Sequence, residues 1–99
     1  MRVEQLRKFK RQLNEIAAKY GIKKIYIFGS VARGESKANS DIDFLIEMAA
    51  DASALGVGGF QFEAEKLLGG KIDVIPSFAL KKVDDREFVK TVQTQAEPL

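Results

Sequence analysis

Ser40-Asp41-Ile42-Asp43-Phe44-Leu45-Ile46-Glu47-Met48 is the stretch on which the reading of this chain turns. Ile42, Phe44, Ile46 and Met48 alternate with Asp41, Asp43, Leu45 and Glu47, the period-two pattern of a strand with one apolar face. The other face opens with two carboxylates, Asp41 and Asp43, at i and i+2. Both project the same way, roughly 7 Å apart along the strand. Working back, Ile25-Tyr26-Ile27-Phe28 is β-branched and aromatic and reads as a buried strand ending at Gly29. Working forward, Lys71-Ile72-Asp73-Val74-Ile75 reads as a third strand closed by Pro76, with a lone acid in an apolar run.

Helical patterns surround these strands. Val3, Leu6, Phe9, Leu13, Ile16, Ala17 and Tyr20 recur at spacings of three and four, and Gly21 supplies a stop. Ser30 to Asn39 is polar and reads as a short helical turn plus a loop. Val57, Phe60, Ala64, Leu67 and Leu68 form a second stripe, which Ser53 can cap and Gly69-Gly70 ends. Gly56, Gly58 and Gly59 each cost a helix about 1 kcal/mol relative to Ala. The expectation there is an irregular turn, with the helix starting at Phe60. Asp84 or Asp85 caps a last helix that buries Phe88, Val89 and Val92 and ends by Pro98. The order predicts an α/β (α+β) fold, a small mixed sheet with helices packed on it, in one domain over residues 1–99.

Composition narrows the chemistry. The 99 residues carry 16 Lys+Arg and 14 Asp+Glu, a net charge of +2. That balance is too mild for a nucleic-acid footprint, so direct nucleic-acid binding is not expected. Cys and His are both absent. Disulfides, Cys/His zinc sites and His-based acid/base mechanisms are therefore excluded, and carboxylate chemistry with a hard cation is what remains. No apolar run approaches the ~20 residues of a membrane span. A cytoplasmic protein with no membrane contact is expected. The basic cluster Arg7, Lys8, Lys10 and Arg11 reads as a solvated helix face, and Tyr20 and Tyr26 as packing residues. A core this thin makes homo- or hetero-oligomer formation plausible.

Each candidate site residue has an ordinary reading when taken alone. Asp41 is a turn acid, Asp43 an exposed strand residue, Arg33 a solvated arginine, and Asp73 a partner for Lys71 or Lys24. Together they agree on one chemistry. If the third strand lies beside the second, Asp73 joins Asp41 and Asp43 in a cluster that repels itself without metal and suits two cations ~3.5–4 Å apart. Gly29 permits close approach of a phosphate to the backbone, Ser30 adds a hydroxyl, and Arg33 offers a planar fork.

Gly29-Ser30-Val31-Ala32-Arg33-Gly34-Glu35 followed by Ser40-Asp41-Ile42-Asp43-Phe44-Leu45-Ile46 resembles the signature of the minimal nucleotidyltransferases of the polymerase-beta-like superfamily. Lys71 to Ile75 resembles their third-acid strand. The resemblance implies that Asp41, Asp43 and Asp73 are the catalytic and metal-binding residues, holding two Mg²⁺ ions, and that Gly29, Ser30 and Arg33 hold the nucleotide. It implies transfer of AMP from ATP to a hydroxyl of a partner protein. It also implies an antitoxin whose partner is an all-helical HEPN-type toxin. The competing expectation is a non-catalytic antitoxin that masks a partner ribonuclease. Modification of a small molecule such as an aminoglycoside ranks below both, because those enzymes carry an additional domain.

Overall fold

The computed structural model describes residues 3–28, 42–80, 82 and 84–99. Four strands form one mixed sheet: β1 (Ile22–Phe28), β2 (Ile42–Met48), β3 (Ile72–Pro76) and β4 (Glu97–Pro98), in the order β3-β2-β1-β4. β1 runs antiparallel to β2 and to β4, whereas β3 lies parallel to β2. A parallel pair needs a crossover, supplied by helix α3 (Gly56–Leu68). Pro76 is the last residue of β3 and not its terminator; β3 is an edge strand, where a missing N–H is tolerated.

The strand alternation sorts the two faces as the sequence pattern requires. Ile25, Ile27, Ile42, Phe44, Ile46 and Ile72 pack into the main core against Leu13 and Ala17 of α2 (Lys10–Lys19) and Phe60 and Ala64 of α3. On the opposite face Phe28 and Leu45 meet Leu80 of the short helix α4 (Ser77–Leu80) and Val92 of α5 (Arg86–Gln95). Ile22 joins the main core although it lies three residues before Ile25. The pairs Ile22↔Met48 and Lys24↔Glu47 leave Lys23 as an inserted residue, and this bulge restores the phase.

The N-terminal stripe is not one helix. α1 (Val3–Arg7) is separated from α2 by a tight turn, in which Lys8 N–H reaches the Gln5 carbonyl at 3.2 Å and Phe9 N–H the Leu6 carbonyl at 3.0 Å. Leu6 and Leu13 both remain fully buried across the break. Two members of the basic cluster are engaged here. Arg7 donates to the carbonyls of Leu99 at 2.8 Å and Pro98 at 3.3 Å, and Arg11 pairs with Glu15 at 3.3 Å.

The glycine-rich entry to α3 corrects the expectation of an irregular turn. The helix begins at Gly56, and Ser53 Oγ accepts from Leu55 N–H at 3.2 Å just ahead of it. Packing explains the glycines. A Cβ on Gly56 would sit 2.6 Å from the Tyr20 carbonyl oxygen, and one on Gly59 would overlap the Tyr20 ring. Close approach to the end of α2 outweighs helix propensity. A Cβ on Gly58 meets nothing within 4 Å. Gly56→Ala should therefore destabilise the fold by about 1–3 kcal/mol, while Gly58→Ala should stabilise it by up to about 1 kcal/mol. Urea unfolding of the two variants checks the opposite signs.

The same junction carries an ionic clasp. The Tyr20 hydroxyl donates to Glu63, and Lys19 Nζ reaches both Glu63 oxygens at 3.2 and 3.0 Å. The Tyr20 hydroxyl, then Lys19, hold the Glu63 carboxyl below its ordinary 4.5. Hydrogen bonding to Glu63 raises Lys19 above 10.5 and Tyr20 above 10.0. A depressed carboxylate stabilises the fold above its unfolded pKa and loses that contribution as pH falls through the folded value; the raised Lys and Tyr lose theirs as pH rises past 10. Glu63→Gln should flatten the acid side of a melting-temperature profile below about pH 4.5 and change little near neutrality, as thermal scans from pH 3 to 7 would read.

At the C-terminal end Asp85 caps α5, its Oδ1 accepting from Phe88 N–H at 3.1 Å. Val92 is buried, but Phe88, one turn earlier and expected in the core, is 41% exposed because α5 has only just begun there. α4 and β4 carry no sequence signal of their own.

Candidate active site

Two acids that lie far apart in the chain come together through strand pairing. Asp43 and Asp73 are direct register partners on the parallel strands β2 and β3. Residues facing each other across adjacent strands are about 4.8 Å apart and project to the same side. That side is the one bearing Leu45 and Ile75, opposite the main core. Asp43 is half-buried and Asp73 exposed. Among the described residues Asp73 forms no ion pair with Lys71 or Lys24, so the ordinary reading of that acid does not hold.

Local sequence explains the placement. The apolar face of β2 is fixed by Phe44, fully buried with its ring 6.1 Å from that of Phe60. Burying Ile42, Phe44 and Ile46 forces Asp43 outward. On β3, Ile72 is 1% exposed and is pinned by its N–H, which donates to Glu65 at 3.1 Å; this turns Asp73 outward in the same way. On the other side of Asp43 its partner is Phe28, the last described residue of β1.

Asp41, Gly29, Ser30 and Arg33 lie outside the described residues. Among the described residues no cluster of three metal-ligating side chains forms. The acids present are all-oxygen donors on one face, a donor set suited to a hard divalent cation and unsuited to a soft one. Like charges directly opposite each other in a sheet are destabilising, and a cation between them removes that cost.

Residues 6–95 match the model of the nucleotidyltransferase domain family. The chain belongs to that family. A candidate protein adenylyltransferase of Methanocaldococcus jannaschii is 40% identical over 70 residues, spanning 71% of this chain and 75% of that one. A solved candidate minimal nucleotidyltransferase superposes with a TM-score of 0.80 at 29% identity, covering 100% of this chain and 97% of that one. The small mixed sheet with packed helices is thus the fold of the minimal nucleotidyltransferases. A Shewanella oneidensis MNT antitoxin in complex with its tri-AMPylated HEPN toxin shares the fold, with a TM-score of 0.61 at 15% identity, covering 93% of this chain and 69% of the other. Among the described residues of this nucleotidyltransferase, no helix is long and apolar enough to cross a membrane.

Proposed function

We propose that this nucleotidyltransferase transfers AMP from ATP to a hydroxyl of a partner protein, with Mg²⁺ as cofactor, and so acts as the antitoxin of a HEPN-type toxin in the cytoplasm. The observation that carries the reading is the register pairing of Asp43 with Asp73. An acid on each of two neighbouring strands, with Asp41 two residues before one of them, is the donor set that two-cation phosphoryl chemistry requires. The S. oneidensis complex, which couples this fold to an AMPylated partner, supports the choice of acceptor.

Asp41, Asp43 and Asp73 would hold the ions. When bound, these ions neutralise phosphate charge and favour ionisation of the attacking hydroxyl. The chain's own residues do the rest. Gly29 and Ser30 hold the phosphates through backbone N–H groups and a hydroxyl, and Arg33 reaches them with its guanidinium. Asp73 accepts the proton of the acceptor hydroxyl. The acceptor oxygen forms a bond to the α-phosphorus, the bond from that phosphorus to the bridging oxygen breaks, and pyrophosphate leaves.

The test is to purify the chain with the product of the adjacent reading frame, incubate both with Mg-ATP and weigh each by intact mass spectrometry. One or more AMP groups on the partner is the expected result. A partner bound and silenced at unchanged mass would replace transfer with masking.

A further inference from the structure

We infer that the groove between α4 and α5 is the acceptor-side subsite, which seats the polypeptide around the modified hydroxyl. The inference rests on the transfer reading above.

A cavity of about 600 Å³ opens on the sheet face that bears the acids, a size ordinary for a binding cleft. Leu45, Leu80 and Val89 line it with apolar surface, Phe78 stands there 41% exposed, and Asp84 and Arg86 add one charge of each sign. Neither charge has an ion-pair partner among the described residues. The groove is continuous with the acids. Leu45 lies two residues along β2 from Asp43, about 7 Å on the same face, and its register partner Ile75 lies two residues beyond Asp73.

The side of the sheet decides what the groove holds. Phosphoryl groups are displaced with the attacking and leaving oxygens in line, on opposite sides of phosphorus. Gly29 and Ser30, which hold the departing pyrophosphate in this reading, follow Phe28 directly in the chain, and Phe28 is Asp43's neighbour on β1. Attack must then come from the β3 side. The groove lies there, formed by Ser77 to Leu80 just beyond β3 and by α5. Its occupant is a polypeptide with an apolar side chain next to the acceptor hydroxyl. The aliphatic walls and Phe78 bury that side chain, and Arg86 and Asp84 fix the backbone or polar neighbours at the rim.

Phe78→Ala and Arg86→Glu test this, since both positions are exposed and neither holds a site acid. The adjacent-gene product serves as acceptor, and a fluorescent ATP analogue reports nucleotide affinity. Each variant should raise KM for the acceptor roughly tenfold, with kcat at saturating acceptor and the analogue's Kd within about twofold of the parent. Arg86→Lys should recover part of the loss. Phe62→Ala, which removes a 61%-exposed phenylalanine on α3, is the control and should change nothing. Unchanged acceptor KM in both groove variants overturns the inference. Weakened binding of the analogue overturns it too, because the groove would then hold the nucleotide. An inert parent chain overturns the transfer reading itself, and is seen before any variant is compared.

Discussion

Asp43→Asn and Asp73→Asn should each leave a folded protein whose nucleotidyl transfer is reduced at least about a hundredfold, the scale on which single preorganised electrostatic groups contribute. The two side chains share one patch of sheet surface because Asp43 and Asp73 are register partners. Asn is isosteric with Asp but carries no charge, so it is a poor ligand for a hard cation and cannot take a proton from a hydroxyl. The decisive comparison is with stability. Asp73 is exposed, and its facing acid repels it in the absence of metal. Asp73→Asn should therefore melt at the same temperature as the parent, or slightly higher, in chelator. Adding Mg²⁺ should narrow that difference or reverse it. Transfer rates with saturating ATP, read beside melting curves with and without Mg²⁺, separate a lost reaction from a lost fold. Full transfer in both variants would remove Asp43 and Asp73 from the chemistry.

Phe44→Ala carries the largest expected effect on stability, a loss of about 3–5 kcal/mol. Phe44 is fully buried, lies in the main core and has its ring 6.1 Å from that of Phe60 at 49°. A domain of this size has only about 5–15 kcal/mol in total, so the variant should melt at least about 12 °C lower. Denaturant unfolding gives the number. Phe60→Ala should cost a similar amount. The double variant should lose less than the sum, since each ring is part of the other's packing. Because Phe44 sits between Asp43 and Leu45 on β2, transfer should fall along with stability at temperatures where the parent is still fully active.

The strands are legible in the sequence because burial has a strict period of two. Ile42, Phe44 and Ile46 can only share one face, and that alone puts Asp43 on the other. The meeting of Asp43 with Asp73 is legible only conditionally, because it depends on β2 and β3 being neighbours, a long-range pairing that no local pattern encodes. The start of α3 is hidden for a related reason. Propensity penalises Gly56 and Gly59, and the compensating contact with Tyr20 lies some 36 to 39 residues away in the chain. Phe88 is apolar enough for the core, but the sheet does not extend beneath the first turn of α5. β4 has no signature because two residues, one of them proline, carry no periodicity at all. The phosphate-holding residues Gly29, Ser30 and Arg33, and the acid Asp41, rest on the motif and the family.

β4 is small, but it decides what the outer side of β1 presents to the world. Glu97 and Pro98 pair with Ile27 and Tyr26, and Leu99 N–H reaches the Ile25 carbonyl at 3.0 Å. Arg7 then ties this segment to the first helix. Cutting the protein after Ala96 would bare a β-branched ribbon with free hydrogen-bonding groups, a template for sticking to further copies of itself. Three residues with no part in the chemistry thus stand between a well-dispersed enzyme and an aggregating one.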